Sequence, residues 1–428
     1  MKRLLTCAVS AMALAASPLA AQDVAITNAT VATGDGSDPV EGATVLVRGG
    51  KIVAAGTDVA IPAGTSTVDG TGSWVTPGIF ATVTTLGLWD VGAVSESNDT
   101  RAGDSPFSAA LDVARAINPS NQHIAIHRAA GVTRAAVMMA GTSSIFGGQG
   151  AIIDLGADSK PVVKERAFQA VTLGEGGARQ SGGSRVATYV EFANALREAR
   201  EFANGTWDAE AAMLTRADAE ALRPVVSGEQ TLYVWVDRAS DIRSALLLKR
   251  DYPALDMVLL GATEGWLVAG EIAAAGVPVI ANGLNDLPSG FDQLAATQSN
   301  IGRMVKAGVK VAINAASMEN PRNLNQYAGN LVALTRVPGA DGLSWGQAFA
   351  AITSVPAEIS GMGGKAGSLS AGAAGDLVIW DGDPLELGSM PTRVFIDGVE
   401  QPLDNHQSRL KDRYRDLDES DMPKAYDW

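Results

Sequence analysis

Cysteine and histidine are scarce in this 428-residue sequence, which has one cysteine (Cys7) and three histidines (His123, His127 and His406). A single cysteine excludes an intramolecular disulfide framework. Three histidines are too few to make a histidine-rich metal centre a strong expectation. Basic residues are in the minority, since 33 Lys and Arg stand against 47 Asp and Glu, a formal net charge of −14. This acidic balance argues against a nucleic-acid partner, whose backbone requires clustered basic side chains.

The hydrophobic content is high enough for a large core. Hydrophobic residues make up 46% of the chain and charged residues 19%, which excludes global disorder. The length suits one (β/α)8 barrel with an appendage, or two domains. After the N-terminal segment no apolar run is long enough to span a bilayer, so we expect no stable membrane anchor.

The N-terminus reads as an export signal. Lys2 and Arg3 precede an apolar run from Leu4 to Ala16, and small residues follow up to Ala21. This pattern predicts a signal peptide over residues 1–21, cleaved near Ala21. The apolar run is shorter than the roughly 20 residues needed to cross a membrane. We therefore expect an exported, periplasmic product.

The pattern of apolar and turn-forming residues changes twice after the predicted signal peptide. Residues 22–76 and 366–405 carry short β-branched runs separated by glycine turns, which predict small sheets. Residues 77–365 alternate short apolar strands with helical segments, which favours a parallel α/β fold. Residues 406–428 form a charged C-terminal tail, expected to begin as a surface helix. The strand candidates of the central region are Ala135–Met139, Leu232–Val236, Met257–Leu260, Val277–Ile280 and Val309–Ile313.

Four local motifs occur in the order found in one known family. They are Gly49–Gly56, Trp74–Gly78, Gly147–Gly150 and Gly367–Pro384. With these motifs the chain resembles the amidohydrolase superfamily, particularly its imidazolonepropionase-like branch. The resemblance implies a TIM barrel over residues 77–365. It also implies a composite β-sandwich made from residues 22–76 and 366–405.

The resemblance also implies a chemistry. Members of the family hydrolyse C–N bonds in amides, peptides or cyclic ureas with zinc or another divalent metal, which activates a water molecule. The ligands are histidines, carboxylates and often a carboxylated lysine. An aspartate near the last barrel strand shuttles protons.

This sequence departs from the family at the ligand positions. No lysine lies between Lys164 and Lys249, where the carboxylated ligand is expected. We therefore predict no metal site, no cofactor and no assignable catalytic residue. The family's ligand and proton-shuttle positions are occupied here by Val83, Thr85, Trp235, Asp237, Leu260 and Ala316.

Asp237 is the one carboxylate that stands at a lost ligand position. Together with Glu175 and Glu264 it would offer oxygen ligands to Mg²⁺ or Ca²⁺. The alternative is that Asp237 pairs with Arg238 or Arg243, or caps the following helix. Both interpretations remain open at this point.

The glycine-rich segment is the first of two candidates for substrate binding. Gly147, Gly148, Gln149 and Gly150 would cradle a substrate carboxylate or carbonyl through their backbone N–H groups. The alternative is a tight turn leading into a strand at residues 151–153.

Arg322 is the second candidate for substrate binding, as a partner for a substrate carboxylate, or else it is a surface charge. His123 and His127 lie four residues apart, on one face of a helix. Because the segment lacks the glutamate of a zincin motif, we expect surface histidines rather than a metal pair.

Three functions remain open. The chain is a non-catalytic subunit of a ligand-complete amidohydrolase paralogue, in a hetero-oligomer or a homodimer. Alternatively it is a hydrolase with an atypical metal site around Asp237, or a periplasmic small-molecule-binding protein.

Overall fold

The computed structural model describes residues 21–315 and 317–415. The predicted signal peptide, apart from Ala21, lies outside the described residues, as do Ala316 and residues 416–428 of the predicted tail. The first strands are β1 (Val24–Val31), β2 (Val40–Arg48), β3 (Lys51–Gly56), β4 (Ser66–Asp69) and β5 (Trp74–Pro77). The central strands are β6 (Ile79–Thr84), β7 (Arg101–Ala102), β8 (Val132–Val137), β9 (Gly141–Thr142), β10 (Phe146–Asp154), β11 (Val162–Thr172), β12 (Thr231–Val236), β13 (Met257–Gly261), β14 (Val279–Asn282) and β15 (Val311–Asn314). The last strands are β16 (Leu377–Trp380), β17 (Pro391–Ile396) and β18 (Val399–Glu400).

Helices fill most of the connections between the central strands. They are α1 (Gln122–Ala129), α2 (Glu175–Gln180), α3 (Arg185–Ala203), α4 (Arg216–Ala221), α5 (Arg223–Ser227), α6 (Ala239–Asp251), α7 (Ala269–Ala275), α8 (Asn300–Lys306), α9 (Leu324–Leu334), α10 (Trp345–Ala350), α11 (Ser354–Ile359) and α12 (His406–Arg413). The surface helix predicted at the start of the tail is confirmed as α12, which contains no buried residue. No helix of the described residues is long and apolar enough to cross a membrane.

Eight of the central strands form a barrel in the order β6–β8–β10–β11–β12–β13–β14–β15, and the short strands β7 and β9 pair with each other. The end strands β6 and β15 lie against each other. Both also bond to the segment before α11: the Phe80 N–H donates to the Ile352 carbonyl (3.0 Å) and the Ile313 N–H to the Ala351 carbonyl (2.9 Å). The predicted TIM barrel is confirmed, and all five strand candidates correspond to barrel strands.

Strand β10 runs antiparallel to both of its neighbours. Residues 155–161 connect it directly to β11, and such a short connection permits a hairpin but no parallel crossover, which needs a dozen or more residues. This reversal brings the first residues of β10 to the barrel end at which the parallel strands finish. The helix-for-every-strand alternation of an ideal (β/α)8 barrel is interrupted here.

Apolar side chains fill the barrel interior. Phe80, Ile152, Phe168, Tyr233 and Ile280 belong to one buried cluster to which the barrel strands contribute. The rings of Phe168 and Tyr233 stack with centroids 4.1 Å apart. The barrel is therefore a packed core rather than a pore, as expected for this fold.

A second eight-stranded sheet joins the two ends of the chain. β1 pairs antiparallel with β2 and parallel with β4 and β5, while β16 pairs antiparallel with β5 and β17. The Trp380 indole N–H donates to the Thr76 hydroxyl (2.9 Å), which ties the C-terminal strand to the N-terminal one. The predicted composite β-structure is confirmed. Its residue bounds remain a prediction.

A buried ion pair connects this terminal sheet to the barrel. Arg134 of β8 binds Asp376 through two hydrogen bonds, Nε to Oδ2 at 2.6 Å and Nη2 to Oδ1 at 3.2 Å. Its Nη2 also donates to Asp397 Oδ1 (2.8 Å). The Arg134 and Asp376 side chains are 5% and 2% exposed. Because the buried guanidinium and carboxylate groups compensate each other's charge, the pair holds the terminal sheet against the barrel.

Candidate functional site

A cavity of about 510 Å³ opens at the end of the barrel where the parallel strands finish. Its wall includes Thr172 at the end of β11, Val236 at the end of β12 and Leu260 near the end of β13. Gly147 joins them because β10 is reversed. Active sites of TIM barrels lie at this end, so the cavity is the candidate functional site.

The floor of the cavity is apolar. Met138, Ala170, Trp235, Leu260 and Met318 line it and also pack on the barrel interior. Trp235 and Leu260 are register partners on the neighbouring strands β12 and β13. Two predicted lost-ligand positions therefore lie side by side in the cavity, where they offer carbon surface.

Val83 and Thr85 lie deeper than the cavity wall. Strand β6 has a register shift between Ala81 and Thr84, and Val83 within it adopts φ +53°, a conformation that β-branched residues rarely take. Its side chain is 2% exposed and packs into the interior cluster. Thr85 is 1% exposed, and its N–H donates to the Met318 carbonyl (3.1 Å). Ala316, the remaining lost position, lies outside the described residues.

Asp237 lines the cavity but is held by its neighbours. Its Oδ1 accepts from the Thr263 N–H (3.2 Å) and the Thr263 hydroxyl (2.5 Å). This approach needs a glycine at 261, since a Cβ there would lie 2.7 Å from the same oxygen. The carboxylate is 6% exposed, and its Oδ2 receives no hydrogen bond from the described residues.

The expected salt bridges and helix cap of Asp237 are wrong. Arg238 pairs with Asp241 and Arg243 with Glu271. The first N–H of α6, at Ala239, is capped by Glu264 Oε2 instead. The turn after β12 points the Asp237 side chain toward Thr263, two residues beyond the end of β13, and away from the helix start.

Glu264 is a structural residue rather than part of the cavity wall. Its second oxygen, Oε1, accepts from the Ala295 N–H (3.0 Å). The side chain therefore fastens the β14–α8 loop to the start of α6. Of the three carboxylates named from the sequence, Asp237 and Glu175 reach the cavity and Glu264 does not.

A further carboxylate, Asp292, joins Glu175 and Asp237 at the cavity wall. A Cβ atom at Gly290 would lie 3.3 Å from Asp292 Oδ1 and 3.6 Å from Glu175 Oε2. Burial raises the pKa of Asp292, and the charges of Asp237 and Glu175 raise it further. The one ion pair among these groups joins Arg179 Nη1 to Glu175 Oε1 (2.7 Å).

Asp292 was missed by sequence reasoning. It lies in the irregular segment between β14 and α8, where no hydrophobic period or metal-ligand spacing marks a side chain. Only the return of that segment over the barrel end brings it to Glu175, which is over a hundred residues earlier in the chain.

The glycine-rich segment is neither a turn nor an open loop. Gly147, Gly148, Gln149 and Gly150 lie within strand β10, and of these Gly147 alone lines the cavity. The Gln149 N–H donates to the Leu111 carbonyl (2.7 Å), so it is unavailable to a ligand. A Cβ at Gly148 would lie 2.7 Å from the Leu111 carbonyl oxygen, and one at Gly150 would overlap the Phe168 ring. The missing side chains at Gly148 and Gly150 therefore make room for the Leu111 carbonyl and the Phe168 ring, not for a ligand.

Arg322 and the histidines lie away from the cavity wall. Arg322 Nη1 donates to Gln407 Oε1 (2.9 Å), which holds helix α12. His123 stacks on Trp89 with ring centroids 3.8 Å apart. The surface prediction for His127 is wrong, because this residue is 1% exposed and its Nδ1 lies 2.6 Å from the His123 carbonyl oxygen. Burial lowers the pKa of His127 to about 4.

The divalent metal implied by the fold does not fit these residues. Among the described residues no group of three or more His, Cys, Asp or Glu side chains is arranged to hold a metal ion. Zinc requires imidazole, thiolate or carboxylate ligands, whereas Val83, Trp235 and Leu260 supply carbon. Asp237 alone would leave most of the coordination sphere unfilled.

Comparisons with known proteins agree with the fold. A model described as "Amidohydrolase family" matches residues 240–405. Amidohydrolase tasK of Hapsidospora irregularis is 45% identical over 60 residues, which are 14% of this chain and 6% of that protein. The chain thus spans a small part of that curated relative.

Two solved structures share the fold over most of their length. The amidohydrolase from Thermotoga maritima MSB8 is 24% identical with a TM-score of 0.77, covering 88% of this chain and 99% of that one. Molinate hydrolase is 16% identical with a TM-score of 0.55, covering 90% and 95%. Residues 240–405 thus match the amidohydrolase family, and the barrel with its terminal sheet is the fold of these solved amidohydrolases.

Proposed function

We propose that this amidohydrolase-superfamily chain is a non-catalytic subunit. The observation that carries the proposal is the apolar content of the ligand positions: Val83, Trp235 and Leu260 extend the packed interior up to the cavity floor. Hydrolysis in this family depends on a polarised water, and these side chains provide no means to bind a metal that would activate it.

The atypical hydrolase centred on Asp237 has less support. One carboxylate oxygen is engaged by Thr263, and Glu264 is committed to backbone N–H groups. A Mg²⁺ or Ca²⁺ site needs about six oxygen ligands, so Asp237 would have to recruit most of them from water.

The surface around the cavity supports a subunit role. Leu287, Phe291 and Leu294 of the β14–α8 segment are 81%, 82% and 65% exposed. Val186 and Val190 of α3 are 76% and 66% exposed. Large exposed apolar side chains concentrated in one segment mark interaction sites. The proposed partner is a ligand-complete amidohydrolase paralogue, with a homodimer as the alternative.

The N-terminal pattern supports export of this subunit to the periplasm, with cleavage near Ala21. N-terminal sequencing of the protein from a periplasmic fraction would begin at Gln22. A chain that retains Met1 in the cytoplasmic fraction would contradict this part of the proposal.

Metal analysis combined with an amide-hydrolysis panel tests the proposed function. We expect less than about a tenth of an equivalent of any divalent metal in the purified protein, and no turnover of amides, dipeptides or cyclic ureas after addition of Zn²⁺ or Mn²⁺. Metal-dependent turnover that is lost in D237N would contradict the proposal and favour the atypical hydrolase. The matched control is E165Q, which changes an exposed carboxylate near the other end of β11.

A small-molecule-binding protein is the second candidate, and the cavity itself favours it. Ligand sites are concave, mostly apolar and equipped with a few polar groups, and their volumes are roughly 300–1,000 Å³. The cavity of about 510 Å³ lies in this range and combines an apolar floor with several polar groups on its wall. Binding and subunit function are compatible, since a bound ligand can be shared across an interface.

A further inference from the structure

We propose that the cavity at the barrel end binds an organic cation with an apolar body, such as an arylalkylammonium ion. This ligand class rests on the proposed function, because a chain without a catalytic metal would use the cavity only for binding. It combines three features: an apolar floor with an aromatic ring, an excess of carboxylates and one buried carboxylate oxygen, Glu175 Oε2, that has no hydrogen-bond partner among the described residues.

The floor provides the site for the apolar body. Trp235, Leu260, Met138 and Met318 present carbon, sulfur and ring surface on one side of the cavity. Thioether and indole groups adapt to flat or branched hydrocarbon parts. Indole also attracts a cation placed over its face.

The wall provides the negative charge. Glu175, Asp237 and Asp292 face one cavity whose basic lining residue is Arg179. Arg179 is already paired with Glu175, so Asp237 and Asp292 have no cationic partner among the described residues. The raised pKa of Asp292 has the same origin, since burial and the two other carboxylates disfavour its charge.

Asp237 identifies the position of the ligand's charge. The side chain is 94% buried, since 6% is exposed, and Thr263 occupies Oδ1 alone. Its Oδ2 receives no hydrogen bond from the described residues. The buried oxygen without a partner is the neighbouring Glu175 Oε2, and a buried charged oxygen that lacks a donor is costly. An ammonium or guanidinium group in the cavity would donate to Asp237 Oδ2 and offset the repulsion among Glu175, Asp237 and Asp292.

Other ligand classes fit less well. An anion would meet the carboxylates of Glu175, Asp237 and Asp292, and the guanidinium of Arg179 is occupied. A bare divalent ion would need a ligand set that the described residues do not assemble. A neutral apolar molecule would suit the floor but would leave the negative charge of the wall without a cation.

Isothermal titration of the metal-free, EDTA-treated full chain with three probes of similar size tests the inference. The probes are 2-phenylethylamine, 2-phenylethanol and 3-phenylpropionate, which share the ring and differ in charge. We expect the amine to bind at least about tenfold more tightly than the alcohol, equivalent to 1.4 kcal/mol. Binding of the carboxylate should be undetectable.

Two substitutions connect the binding to the carboxylates. D237N and D292N should each weaken 2-phenylethylamine binding about fivefold or more and leave 2-phenylethanol binding unchanged. E165Q removes an exposed carboxylate far from the cavity and should change neither. D292N keeps the test valid if D237N fails to fold, because Asp292 lies on an irregular segment outside the barrel strands.

The results distinguish this inference from the proposed function. Equal affinity for amine and alcohol, no detectable amine binding, or an amine affinity unaffected by D292N would overturn the cation site. None of these results would restore metal-dependent turnover, so the non-catalytic proposal would stand. Conversely, metal-dependent turnover would overturn the proposed function whatever the probes show.

Discussion

The surroundings of His127 disfavour the protonated, positively charged form of its ring. Its ring is 1% exposed, its Nδ1 is hydrogen-bonded to the His123 carbonyl oxygen, and its Nε2 has no hydrogen-bond partner among the described residues. Desolvation lowers its pKa to about 4, from 6.5. Protonation would place an unpaired charge beside Arg322, which also lowers the pKa.

The pH dependence of stability should reveal this histidine. Because its folded pKa is below the unfolded value, its contribution is intact above pH 6.5 and lost as the pH falls toward 4, by about 3 kcal/mol. H127L cannot protonate, so its free energy of unfolding relative to wild type should rise by that amount between pH 6.5 and 4. Urea denaturation at several pH values measures the difference. Parallel curves for the two proteins would contradict the prediction.

The same residue illustrates what the sequence could and could not indicate. The prediction that His123 and His127 lie on one helix is confirmed, since both belong to α1. Their burial depended on Trp89, which stacks on His123, and on elements brought near by folding. Likewise, Asp237 was singled out because it stands at a ligand position of the resembled family, whereas its partner Thr263 depends on the turn after β13.

At the scale of elements, the Gly150–Phe168 contact fixes the hairpin of β10 and β11. The two residues are register partners, and the Phe168 ring lies over Gly150 while stacking on Tyr233. The sequence shows Gly150 as part of a glycine-rich motif, which suggests a loop. The packed ring explains why a strand can contain this glycine.

G150A should destabilise the barrel by about 1–3 kcal/mol or more, because the added methyl group would overlap the ring. G270A is the matched control: Gly270 lies in α7 with nothing within 4 Å of its would-be Cβ, so alanine should stabilise by about 0.5–1 kcal/mol. In the double variant G150A/F168L the alanine should cost less than in G150A alone. Additive effects would show that the two residues do not interact.

The ion pair of Arg134 and Asp376 operates between elements, since it joins barrel strand β8 to the terminal sheet. R134M removes one partner and leaves a buried carboxylate, which should cost about 3–5 kcal/mol of unfolding free energy. R243M breaks an exposed pair with Glu271, about half exposed on both sides, and should cost no more than about 1 kcal/mol. Chemical denaturation of both variants measures the contrast, and similar losses would contradict it.

At the scale of the whole molecule, the fold was predictable and the site only in part. Buried strands such as β12 and β13 are uninterrupted apolar runs, and the motifs at both ends indicated a shared terminal sheet. The reversal of β10 was not expected, because its apolar pattern is the same in either direction. The cavity's acidic wall required Asp292 and Glu175 to meet across irregular segments, which carry no periodic signal.

The distribution of exposed apolar side chains leads to a prediction about assembly. Leu287 and Phe291 lie beside the cavity-lining residues Ser289 and Asp292, so a partner that covers them would also cover the cavity entrance. The double variant L287D/F291D should weaken association by about tenfold or more, because buried aromatic and aliphatic anchors dominate interface energies. Both residues are already in water, so the free energy of unfolding of the isolated chain should stay within about 0.5 kcal/mol.

Sedimentation velocity on the chain alone, and on the chain co-expressed with a ligand-complete paralogue, measures this association. L387D is the control, since Leu387 is 74% exposed in the segment between β16 and β17 of the terminal sheet. Loss of the complex in L287D/F291D but not in L387D would locate the interface at the barrel end. A chain that remains monomeric in both samples would contradict the subunit role. Equal weakening of association by L287D/F291D and L387D would show that the interface is not at the barrel end. Because the cation probes act on the same face, the association should also change when 2-phenylethylamine occupies the cavity.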